Sequence, residues 1–87
     1  MKIKEGFILR KVGKQYVVVA TGKASKEFHG MIRLNASAAS LFNRLKKESE
    51  EGELIQALME EYGISEEIAK EDTEHFLVAM KEAGALV

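Results

Sequence analysis

The sequence predicts an α+β domain in which three short strands precede three helices. β-Branched and aromatic residues crowd into short glycine-bounded runs before Asn35, and apolar residues recur at three- and four-residue spacing after it. The length of 87 residues leaves room for one domain only, spanning 1–87. A chain this short buries roughly 60–65% of the surface its unfolded form exposes. Most of its hydrophobic residues, 46% of the total, are therefore committed to a single core. A cofactor lobe beside a substrate lobe is excluded, and little apolar material remains to line a deep cavity.

Phe7 to Val12 alternate imperfectly between apolar and polar, Gly13-Lys14 reads as a turn, and Gln15 to Thr21 is rich in β-branched residues beside Tyr16. Together they predict a hairpin. Gly22 to Gly30 is polar apart from Phe28 and reads as a loop into a third short strand, Met31 to Leu34, paired with the strand before it. Asn35 is a good N-cap for a helix with Ala38, Leu41, Phe42 and Leu45 on one face, ending near Lys47 to Ser49. Glu50-Glu51-Gly52 separates it from a second helical run, Leu54, Ile55, Leu58, Met59 and Tyr62, closed by Gly63. Ser65 with Glu66 and Glu67, acids well placed against a helix dipole, starts a third helix that reaches about Ala83 and is closed by Gly84. The tail Ala85-Leu86-Val87 is expected to pack.

The third helix has an unusually wide apolar face. Ile68, Ala69, Thr73, Phe76, Leu77, Ala79, Met80 and Ala83 fall within an arc of roughly 180°, more than contact with one neighbour requires. Such an arc has room for two contacts. Asp72 lies inside it, on the row between Ile68 and Phe76, where an unpaired carboxylate is costly to desolvate. Two roles fit: a structural acid bonded to a backbone N–H or to an arginine such as Arg33, or a direct ligand contact.

The net charge of −1 hides two opposed halves. Residues 1–47 hold eleven Lys/Arg against Glu5 and Glu27, a balance of +9, and residues 48–87 hold Lys70 and Lys81 against twelve acids, a balance of −10. Either these are solvated faces or each half steers a partner of opposite charge. A DNA-binding regulator of the winged-helix type is the competing reading, and the third helix weighs against it. That helix sets Glu66, Glu67, Glu71, Asp72, Glu74 and Glu82 against two lysines, a poor surface to turn toward a polyanion. No residue qualifies as catalytic. His29 and His75 are the two imidazoles and neither has a second histidine at helical spacing, so no metal site is expected. The absence of cysteine removes disulfides, thiolate ligands and a thiol nucleophile together. The longest apolar run, Tyr16 to Ala20, is five residues, against about 18 or more for a membrane span, and no signal-peptide core follows Met1-Lys2-Ile3-Lys4. A cytoplasmic protein without a cofactor is the expectation.

Three segments in order resemble the PqqD-like family, named for pyrroloquinoline quinone biosynthesis protein D. They are Ile32-Arg33-Leu34-Asn35 leading into Leu41-Phe42 and Leu45; Leu54-Ile55-Gln56-Ala57-Leu58 followed by Tyr62-Gly63-Ile64; and Asp72 with Phe76-Leu77 and Met80, then Gly84-Ala85-Leu86-Val87. Phe42 stands where the family often has Trp, and Met80 where Leu is common, both tolerable core exchanges. The resemblance implies a winged-helix-like, three-stranded antiparallel sheet packed on three helices, acting as a precursor-peptide recognition element without chemistry of its own. It implies that the leader segment of a ribosomal precursor peptide adds as a strand to the third strand, in the cleft beside the third helix. On that basis Met31, Ile32, Arg33 and Leu34 are the expected strand edge, and Ile68, Asp72, Phe76 and Met80 the expected helical contacts. The second partner it implies is a peptide-modifying enzyme, often a radical S-adenosylmethionine protein, for which the acidic surface of residues 48–74 is the candidate dock. The basic half, through Arg33 and Lys26, would suit an acidic leader.

Overall fold

The computed structural model describes residues 1–28 and 30–87. Its elements run β1 (Phe7–Val12), β2 (Gln15–Ala20), α1 (Ala24–Glu27), β3 (Met31–Leu34), α2 (Ala36–Arg44), α3 (Glu51–Tyr62) and α4 (Glu66–Glu82). The strands form one antiparallel sheet in the order β1-β2-β3, giving the α+β fold that the sequence predicts. Gly13 takes φ +63°, the sign a type II′ turn needs at its first central position, and Val12 pairs directly with Gln15. That register carries through to β3, where Tyr16 faces Leu34 and Val19 faces Met31.

Because side chains alternate across a sheet, Phe7, Leu9, Val18, Ala20, Ile32 and Leu34 share the face that joins the core. Helix α2 crosses that face and buries Leu41 and Phe42, and α4 packs on α2 and α3. Phe42 and Met80 are both wholly buried, as core exchanges should be. The segment Lys2 to Lys4 closes the core from the side: Ile3 bridges to Leu86, and the Lys4 N–H donates to the Ala85 carbonyl at 2.7 Å. The tail is thus packed and extended.

Helix ends follow local chemistry where caps exist. The Asn35 side chain accepts from the Ala38 N–H at 2.9 Å, and the Ser65 hydroxyl accepts from the Ile68 N–H at 3.3 Å. Two ends differ from expectation. Helix α2 stops at Arg44, because the Leu45 carbonyl is taken by the Ile3 N–H at 2.7 Å while its side chain sinks wholly into the core. Helix α3 begins at Glu51 and absorbs Gly52, since the Glu53 carboxylate accepts from the Glu50 N–H at 2.9 Å and fixes a turn there.

The expected loop from Gly22 to Gly30 contains a fourth helix, the single turn α1. It is too short to show a period in sequence. The Phe28 N–H closes it onto the Ala24 carbonyl at 3.0 Å, and the Phe28 ring stacks at a tilt on Phe7, centroids 6.0 Å apart. Gly6, at φ +100°, passes so close that a Cβ there would stand 3.0 Å from the Ala24 Cβ and from the Thr21 carbonyl oxygen.

Candidate functional site

Strand β3 lies at the edge of the sheet. Its inner side is satisfied by β2, and among the described residues no other backbone group pairs with Met31–Leu34. A row of N–H and C=O groups therefore stands open along its outer side. Ile32 and Leu34 are half-buried and turn toward the helices, whereas Met31, 61% exposed, and Arg33 turn to the opposite face.

Helix α4 runs beside this edge and divides its wide apolar arc between two environments. Ala69, Thr73, Phe76, Leu77 and Met80 are buried, the Thr73 hydroxyl donating to the Ala69 carbonyl at 2.7 Å. The neighbouring row Ile68, Asp72, His75 and Ala79 lies on the rim of that sector. Between β3 and this row lies a shallow trough of about 210 Å³, with Ile32 and Leu34 on one wall, Asp72, Phe76 and Ala79 on the other, and Ala38 of α2 between them.

Of the expected contact residues, the structure brings Ile32, Leu34, Asp72 and Phe76 together around the trough, with Arg33 on the same strand but its side chain on the far face. Met31 continues the open edge beyond it, and Ile68, 50% exposed, stands one helical turn before Asp72 on the same row. Met80 is a correction. It is 0% exposed, because one residue beyond Ala79 turns the side chain about 100° round the helix and into the core. Sequence reasoning missed His75, Ala79 and Ala38 as lining residues. The signal was present in the i, i+4, i+7, i+11 series from Ile68, which picks out one narrow stripe of the arc.

Asp72 is half-buried, and among the described residues neither Arg33 nor a backbone N–H partners its carboxylate. No side-chain polar atom is buried without a partner among these residues, so the carboxylate keeps its access to the open trough. Arg33 is exposed on the far face of the strand, in a cross-strand row with Val17 and Arg10.

Three other hollows lack these properties, among them one of about 550 Å³ between the end of α2 and the start of α3, away from the sheet. One of about 830 Å³ lies beside the β2–α1 turn between Lys4, Glu5, Lys23 and Glu27, away from the unpaired edge. Another of about 430 Å³, between β2, α2 and α3, is spanned by its own polar contacts, the Ser40 hydroxyl donating to Glu61 at 2.7 Å and Arg44 reaching the same carboxylate at 3.9 Å. There desolvation, followed by the Glu61 charge, pushes the Tyr62 phenol above its ordinary value. Among the described residues no group of three His, Asp or Glu side chains gathers as a metal-binding set, and no helix is long and apolar enough to cross a membrane. His75 stands on the trough, and His29 lies outside the described residues. The arrangement suits an extended guest chain, with backbone bonds to β3 and alternate side chains in the trough.

Comparison with known proteins places the chain in a family and a fold. The family model for Coenzyme PQQ synthesis protein D (PqqD) matches residues 15–86, every element except β1. No curated protein sequence matches the chain significantly. Among solved structures, TbiB1 in complex with the TbiA(beta) leader peptide superposes with a TM-score of 0.74 at 19% identity, covering 99% of this chain and 94% of that one. Lasso peptide synthetase B1 complexed with the leader peptide superposes with a TM-score of 0.71 at 20% identity, covering 97% and 93%. At these identities the likeness is one of fold.

Proposed function

The chain belongs to the PqqD family, and from that premise we propose that it is an adaptor for a ribosomally made precursor peptide. It binds the leader segment by strand addition and holds it for a separate modifying enzyme. One observation carries this reading: an unpaired strand edge lies alongside a trough with apolar walls. The leader peptides in the complexes of the two similar folds support it.

The guest lies along Met31, Ile32, Arg33 and Leu34 as a fourth strand, its N–H and C=O groups completing the open row. Alternate side chains drop between Ile32 and Leu34 on one side and Phe76 and Ala79 on the other. Ile68 and Asp72 extend the helical wall. No chain group reacts, and no cofactor is held. Catalysis belongs to the partner, which we assign to the radical S-adenosylmethionine class and dock on the acidic surface of residues 48–74. Tethering then raises the effective concentration of the peptide core at that enzyme, to the millimolar order for a short flexible connection.

The test uses random nine-residue peptides displayed on a carrier and selected on the full chain. Proline placed singly at Met31, Ile32, Arg33 and Leu34 removes one backbone donor each time. At the alternate positions whose N–H points away from β2, the selected peptides are expected to bind about tenfold more weakly, while the circular dichroism spectrum is retained. Equal affinity across all four variants contradicts strand addition.

A further inference from the structure

The two faces of the open edge differ in charge, and this defines the peptide that fits. On the trough side stands Asp72, half-buried and without a partner among the described residues, on a helix that carries six acids against two lysines. On the other face stands Arg33, exposed, next to Val17 and then Arg10 across the strands, and among the described residues neither guanidinium has an acidic partner. An added strand continues both environments, because its side chains alternate between the two faces with a period of two.

Resting on the strand-addition reading, we propose that the leader carries a basic side chain, Lys or Arg, facing Asp72 and an acidic one facing Arg33, separated by an odd number of positions. Residues at even spacing from the base share the trough with it and are apolar, since they meet Ile32, Leu34, Phe76 and Ala79. The two charges do different work. Asp72 is partly desolvated, so an ion pair there is a charge-assisted hydrogen bond in reduced dielectric and governs dissociation. Arg33 is on open surface, where a pair contributes little affinity but steers encounter. The basic half of the chain therefore calls for an acid on one face of the leader, and leaves the other face to the acidic helix.

The probe is again the displayed random nine-residue library, selected in parallel on the full chain, on Asp72→Lys and on Asp72→Asn. Wild-type selection is expected to enrich Lys or Arg in phase with two apolar positions, and Asp or Glu out of phase with them. Asp72→Lys reverses the in-phase preference to Asp or Glu. Asp72→Asn, which adds no charge, weakens binding of the wild-type peptides about tenfold. Enriched peptides that protect β3 amides yet show no charge preference in phase, or the same preference on Asp72→Lys, overturn this inference and leave strand addition standing. A library that enriches nothing, or peptides that leave β3 unprotected, overturn both.

Discussion

Ala79 and Met80 are adjacent in sequence and lie in different parts of the molecule, one half-buried on the trough and one wholly in the core. Met80→Ala is expected to cost about 2–5 kcal/mol in urea unfolding, the range for truncating a buried side chain of this size. Met80→Leu conserves volume and is expected to cost less than about 1.5 kcal/mol, with peptide affinity unchanged. A loss of affinity in Met80→Leu at full stability would place the residue back in the site. Gly6 makes a second case: Gly6→Ala meets both a left-handed φ of +100° and contacts of 3.0 Å, so about 1–3 kcal/mol of stability is expected to be lost by the same measurement. The width of the α4 arc was legible from spacing alone, and so was the place of Asp72 inside it. Which edge of the arc faces β3 was not, because that depends on where α2 sets the helix against the sheet.

Elements announced themselves wherever their causes were local. The hairpin turn, the Asn35 and Ser65 caps and the glycine after α3 are short-range signals, and each falls where the sequence puts it. The end of α2 has a tertiary cause, a carbonyl borrowed by Ile3, and the single turn α1, held by local bonds such as the Ser25 hydroxyl to the Gly22 carbonyl at 2.6 Å, is seated by a tertiary contact of the Phe28 ring with Phe7. No window of residues contains both partners of either tertiary contact. Asn35 joins β3 to α2, and its carboxamide oxygen also accepts from the Ser37 hydroxyl at 3.0 Å. Asn35→Ala is expected to lower stability by about 1 kcal/mol, and Asn35→Asp, which keeps the acceptor at a helix N-terminus, by far less. Equal losses in urea denaturation would contradict a capping role for the Asn35 oxygen.

At the scale of the whole molecule, the charge split has a structural counterpart. Most basic residues lie in the sheet, α1, α2 and the segments flanking them, most acidic ones in or beside α3 and α4, and the trough between β3 and α4 lies on the seam. A dipolar molecule of this kind orients a guest whose own charges alternate, so the association rate of selected peptides is expected to fall as salt rises. Arg33→Glu should slow association more than it speeds dissociation, measured by stopped-flow binding; an unaltered association rate would remove steering from the account. The edge itself is short, four residues with Arg33 among them, which limits indiscriminate pairing while leaving room for one chosen strand. The most direct measurement is amide hydrogen exchange at Met31–Leu34 in the full chain, with and without a saturating selected peptide. The N–H groups that point away from β2 should exchange freely alone and slow by about an order of magnitude or more when the peptide binds. Unchanged exchange along Met31–Leu34 with the peptide bound would contradict strand addition.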